Sequence, residues 1–193
     1  MSVREVAVEA YREALPALGA SLLGGLLAGV VLGGMRAELR AVPGLLVLVP
    51  ALLATRGNVY GSLGARIATA LHQGFIEPRV TEADRRLYAA VAAALGNGIL
   101  ASLFAATMAF LVLTLLGWDV AGLATLLGIA LVAGLLSGIV LTAVVVTVVF
   151  AGYRRGYNPD TLVGPVVTTT GDVFGILFLL VAVRTVLFVG GVV

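Results

Sequence analysis

The chain contains no cysteine, which excludes disulfides and thiolate metal sites but leaves the redox compartment open. It also contains no lysine: all twelve basic residues are arginine, a bias from which no mechanism follows. Its single histidine, His72, has no second histidine or cysteine to complete a zinc-type site and reads as an interfacial residue. Charge of either sign is scarce. Asp, Glu and Arg make up 11% of the 193 residues, against about 25% in an ordinary soluble domain. Hydrophobic residues make up 61% and the mean hydropathy is +1.13, so water is not the main solvent of this chain. A net charge of +2, divided among short loops, gives no reason to expect a nucleic-acid partner. No long polar stretch leaves room for a soluble enzymatic domain.

Long apolar runs take up almost everything that remains. They predict an all-α integral membrane protein with five transmembrane helices, over residues 15–35, 43–71, 87–116, 120–151 and 162–189. The third and fourth runs exceed the length of a perpendicular crossing, about 20 residues, so they tilt or project into water. Only Gly117-Trp118-Asp119 separates them, which predicts an antiparallel hairpin with Trp118 as an interfacial anchor. Ahead of the first span, residues 1–14 carry Val3, Val6, Ala7, Ala10, Tyr11 and Ala14 at helical spacing, with Arg4, Glu5, Glu9, Arg12 and Glu13 on the other face. This segment predicts an amphipathic helix lying in the headgroup plane or, equally, a solvated extension, and Pro16 marks a bend into the first span. The domain layout is thus an N-terminal helix over 1–14 and a five-helix unit over 15–193.

Arginine placement sets the orientation. Seven (Arg4, Arg12, Arg79, Arg85, Arg86, Arg154, Arg155) fall on one side and three (Arg36, Arg40, Arg184) on the other, so the N-terminus is expected in the cytoplasm and the C-terminus outside, in a multi-pass cell-membrane protein. Glycines repeat every four residues at Gly25, Gly29 and Gly33, at Gly134 and Gly138, and at Gly171 and Gly175. Such faces let membrane helices approach closely. Five helices are few to enclose a pore, so a homodimeric bundle is the natural expectation.

Few residues are left to carry chemistry. Asp172 lies about ten residues into the fifth span and has no basic neighbour at helical spacing. Arg184 is twelve residues further on, about 18 Å along a helix, and is expected to reach the outer headgroups. Gly164-Pro165-Val-Val-Thr168-Thr169-Thr170-Gly171-Asp172 reads as a loosened, oxygen-rich stretch. Oxygen ligands with one carboxylate per subunit suit a hard divalent cation, and Mg²⁺ keeps several of its waters in such sites. Pro50-Ala-Leu-Leu-Ala-Thr-Arg56-Gly57-Asn58 predicts a discontinuous second span, with Asn58 offering an amide oxygen to the ion or its hydration shell. Arg56 has two open placements, the cytoplasmic headgroups (favoured) or a pair with Asp172. Thr169, Gly57 and Asn97 are pore-lining candidates, although Asn97 equally suits an interhelical hydrogen bond.

The stretch from Pro50 to Asn58, continuing through Leu63-Gly-Ala-Arg-Ile-Ala-Thr69 to Gly74, resembles the second transmembrane helix of the MgtE magnesium channels, and more closely that of the related solute-carrier magnesium transporters of animals. Asn158-Pro159-Asp160 with Gly164-Pro165 and Thr168–Asp172 resembles the start of the last helix in the same superfamily, and Gly96-Asn97 fits its pattern. The resemblance implies a homodimeric five-helix domain with a central pore lined by the second and fifth spans. It implies that Asp172 and its counterpart hold a largely hydrated Mg²⁺, that Thr168 contributes through its backbone, and that Asn58 lies near the pore. The regulatory cytoplasmic modules of MgtE have no match here, and the animal transporters carry two such units against one here. Divalent ions other than Mg²⁺, and coupling to Na⁺ or H⁺, stay open.

Two other classes fit the sequence less well. An intramembrane aspartyl protease needs paired carboxylates; Thr169 stands where its signature has glycine, and no second mid-membrane acid exists, so no enzyme is expected. A non-transporting membrane subunit, or half of a heterodimeric transporter, is the alternative, and it predicts free replacement of Asp172.

Overall fold

The computed structural model describes residues 3–79, 84–156 and 159–190. Six helices follow in order: α1 (Val3–Gly34), α2 (Arg36–Ala41), α3 (Leu45–His72), α4 (Arg85–Leu115), α5 (Leu123–Arg154) and α6 (Pro159–Val189). Within them, Leu45–His72, Arg85–Leu115, Leu123–Arg154 and Val163–Val189 are long and apolar enough to cross a membrane. The apolar part of α1, Leu18–Gly34, is shorter; at 1.5 Å per residue it reaches about 25 Å, near the lower limit for a crossing. The all-α membrane architecture therefore stands.

Four local expectations are corrected. The amphipathic segment is not a separate helix, because α1 runs unbroken from Val3 to Gly34 through position 16. One proline removes one backbone hydrogen bond, whereas a break would strand several donors and acceptors. For the same reason α3 is continuous across Arg56-Gly57-Asn58 and α6 across Gly164-Pro165, where breaks were expected. In α6 the hydroxyls of Thr168 and Thr169 also donate to the Gly164 and Pro165 carbonyls, at 3.0 Å and 2.8 Å. The α4–α5 connection spans residues 116–122 rather than three. Its Ala121 N–H donates to the Pro43 carbonyl at 2.9 Å, tying the turn to the start of α3. Finally, Gly34 is followed by the short helix α2, which periodicity gave no reason to expect.

Helix ends follow local chemistry. The Asp84 carboxylate caps α4 by accepting from the Arg86 N–H at 3.2 Å. α3 and α4 end on left-handed Gly74 and Gly117, and the next residue's N–H (Phe75, Trp118) returns to the Ala70 and Leu113 carbonyls. That is the Schellman closure, which only glycine adopts without strain.

α1 runs parallel to α6: Ser21 meets Thr169 near one end, and Glu38, just beyond α1, meets Arg184 near the other. α3 runs antiparallel to α6, with Leu53 beside Gly175 and Gly64 beside Val163. At the opposite end from Glu38, Tyr153 stacks edge-on against His72 at 5.6 Å, and Arg154 donates to the Pro78 carbonyl. His72 thus ends α3 at this face, as an interfacial residue should.

The apolar interior divides in two. One cluster gathers Met35, Leu45, Leu48, Leu52, Ala106, Leu126, Ile129, Ala130, Ile176 and Ala182 toward the Glu38 end. The other gathers Tyr60, Leu63, Ile67, Leu71, Ala94, Leu141, Val145, Val149 and Val167 toward the His72 end. Between them lies a layer of polar and small residues.

Candidate functional site

Each of α3 to α6 contributes to this waist. α3 brings Arg56 and Asn58, α4 brings Gly98 and Ser102, α5 brings Gly134, Ser137 and Gly138, and α6 brings Thr168 through Gly175. The glycines make room for polar side chains. A Cβ on Gly98 would stand 2.5 Å from the Tyr60 hydroxyl, and Gly138 faces that hydroxyl from the other side. Ser102 fills the notch of Gly134 and turns its hydroxyl onto the Gly98 carbonyl at 2.8 Å. Ser137 likewise donates to the Ala133 carbonyl within its own helix. These hydroxyls are satisfied locally, as they must be where no water reaches. Tyr60, Ser102 and Ser137 were missed in the sequence, although a lone tyrosine inside an apolar span was a usable signal.

Asp172 is half-buried on α6 and, among the described residues, has no hydrogen bond or ion pair. At about 100° per residue, it stands about 60° around the helix from Gly175 and about 60° from Thr169. Gly175 faces α3, whereas Thr169 faces α1, bonding Ser21 at 2.9 Å and filling the notch of Gly24. The carboxylate therefore looks between α3 and α1. Thr169, half-buried, is used in the α1–α6 contact. Thr168 is exposed, with its hydroxyl turned back to its own helix.

Asn58 does not lie beside Asp172. It lines a cavity of about 290 Å³ between α3 and α4 with Ser62, Arg66, Ala90, Ala94 and Asn97. Asn58 and Asn97 are both exposed, as are Ser62 and Arg66, so this stripe of polar groups in two membrane helices is left open by a single chain. Asn97 and Asn58 are thus brought together, as the two halves of one groove. Gly57 is half-buried, and a Cβ there would meet open space.

Arg56 overturns its favoured placement. It does not reach the headgroups: only 3% exposed, it lies inside the bundle with its guanidinium against Gly175. Arg184, expected to reach the outer headgroups, donates its Nε to Glu38 Oε1 at 2.9 Å. A backbone N–H at the start of α2, and then this arginine, hold the Glu38 carboxyl below its ordinary value.

Helices of membrane-crossing length with Arg56 and Asp172 at mid-depth define a multi-pass membrane protein with polar groups in its interior. The chain belongs to the MgtE family of divalent cation transporters, whose family model matches residues 49–182. Its curated relatives include Solute carrier family 41 member 3 of Rattus norvegicus, 28% identical over 154 residues, covering 78% of this chain and 33% of that protein. Solute carrier family 41 member 2 of Homo sapiens is 27% identical over 153 residues, covering 72% of this chain and 25% of that protein. The chain therefore spans about a quarter to a third of the length of these relatives.

Proposed function

We propose that two copies of this chain form a membrane pathway for a divalent cation, Mg²⁺ first among them, with one Asp172 from each copy facing the ion at the waist. The observation that carries this reading is Asp172 itself, a half-buried carboxylate at mid-span with no ion pair among the described residues. An ionised group at that depth costs several kcal/mol unless a cation or water meets it. No group of three or more acidic or histidine residues gathers among the described residues. Among the described residues Asp172 is the mid-span carboxylate, and one per chain suits an ion that keeps most of its hydration shell.

The open polar stripe of Asn58, Ser62, Arg66 and Asn97 supports a second copy, since such groups are not left facing lipid. Asn58 then acts through the hydration shell or the opposing subunit, and Thr168, exposed one turn before Asp172, offers its backbone carbonyl. The arginines of the face carrying His72, Arg154 and Arg155 support a cytoplasmic position for it, with the N-terminus on the same side.

Mg²⁺ flux into proteoliposomes tests this. Asp172→Asn is expected to abolish flux and Asp172→Glu to retain part of it. Equal flux in wild type and Asp172→Asn would contradict the reading and favour a non-transporting subunit. Flux unchanged by an imposed Na⁺ or H⁺ gradient would mark a channel rather than an exchanger.

A further inference from the structure

Arg56 is the buried charged group that this mechanism leaves unused. Its Nε and Nη2 have no acceptor, and its guanidinium occupies the notch of Gly175, where a Cβ would stand 2.5 Å from Nη1 and 2.8 Å from Leu53 Cδ2. A buried guanidinium without a counter-charge is strongly unfavourable, and each orphaned N–H adds to the penalty. That penalty points to a second arrangement in which the donors are used.

Among the described residues, the acids near the bundle leave one partner. Glu38 is held by Arg184, Asp84 caps α4, and Asp119 lies in the α4–α5 turn. Asp172 lies three residues before Gly175, and side chains at that spacing have Cβ atoms about 5–6 Å apart. With Nη1 at 2.5 Å from the Gly175 Cβ position, the guanidinium is within about 8.5 Å of the Asp172 Cβ before either side chain turns. Rotation of the arginine stem spans that gap with the backbones unmoved.

Resting on the reading of Asp172 as the cation site, we propose that Arg56 is a tethered cation that pairs with Asp172 when no metal ion is present and withdraws into the Gly175 notch when one arrives. The Gly175 notch that holds the guanidinium is the withdrawn position. An incoming ion must displace a single positive charge. A divalent ion does so with twice the Coulomb attraction, whereas Na⁺ or K⁺ has no such advantage. Arg56 thereby sets both the concentration at which the site fills and its preference for double charge. Occupancy of Asp172 by the guanidinium weakens apparent metal affinity by the fraction of chains left free.

Mn²⁺ binding to the purified full chain in detergent, followed by electron paramagnetic resonance with and without NaCl, tests this. Arg56→Met, which keeps volume without charge, is expected to bind Mn²⁺ about tenfold more tightly and to become sensitive to competition by Na⁺. Gly175→Ala, whose methyl group closes the notch and drives the guanidinium toward Asp172, is expected to bind several-fold more weakly. The double variant is expected to match Arg56→Met. Unchanged or weaker binding by Arg56→Met overturns the proposal. If that variant does not fold, unchanged affinity in Gly175→Ala overturns it instead. Loss of binding in Asp172→Asn separates the two readings: if that variant binds Mn²⁺ as wild type does, the cation site itself is wrong, whereas a loss there with no shift in Arg56→Met removes only the tethered cation.

Discussion

The two apolar halves of the bundle and the waist between them solve opposite problems with the same helices. In the halves, Leu126, Ile129, Leu141 and Val145 are completely buried, and these side chains need no partner beyond their neighbours' surfaces. In the waist, space is opened by Gly98, Gly134, Gly138 and Gly175 and refilled with Tyr60, Ser102 and Arg56. Close helix approach and local hydroxyl-to-carbonyl bonds replace apolar volume there. Among the described residues, the two mid-span charged groups of the waist, Arg56 and Asp172, have no ion pair. The contrast separates residues that hold the helices together from residues that wait for a ligand.

That contrast can be broken or sharpened by substitution. The largest stability effect is expected in the halves: Leu126→Ala should destabilise by about 2–5 kcal/mol through the cavity it leaves, read by thermal unfolding in detergent, with the ion dependence of flux unchanged in the folded fraction. A change in ion preference there would blur the division. Next, Gly138→Val should press on the Tyr60 hydroxyl and Leu95, costing about 1–3 kcal/mol of overpacking. Unlike Leu126→Ala, it should also reduce flux per folded molecule, because it displaces the α3 side chains next to Arg56.

The smallest effect lies at the end of the bundle, where Glu38, outside the spans, meets Arg184. Arg184 is largely exposed, so Glu38→Gln should cost about 1 kcal/mol or less. Because the folded state holds Glu38 below its ordinary value of 4.5, its contribution is complete above that pH and is lost as pH falls through the folded value. The melting difference between wild type and Glu38→Gln should therefore be present at pH 7 and shrink below pH 4.5. A difference that grows on acidification would contradict the assignment.

The spans, their order and three polar residues of the waist were readable in the sequence, because length and apolar content suffice for a membrane helix and because Asp172, Asn58 and Arg56 are conspicuous inside apolar runs. How the helices roll was not. Nearly every position in a span is apolar, so periodicity cannot say which face meets which neighbour. That is why the contact of Thr169 with Ser21 was not foreseen, and why Arg56 could be sent to the headgroups when Gly175 gives it a niche. Proline and glycine signals misled in the other direction. They mark breaks in water, but inside a bilayer an open backbone costs more than a lost bond, and α3 and α6 stay whole. The Glu38–Arg184 pair joins positions 146 apart, a relation that no local pattern carries.

The central claim, that the waist holds a divalent cation on Asp172 shared between two copies, is tested most directly by the stoichiometry of Mn²⁺ binding to the purified protein. The account predicts one competitively Mg²⁺-displaceable ion per two chains, lost in Asp172→Asn while the helical content and melting curve persist. Equal binding in wild type and Asp172→Asn would contradict it.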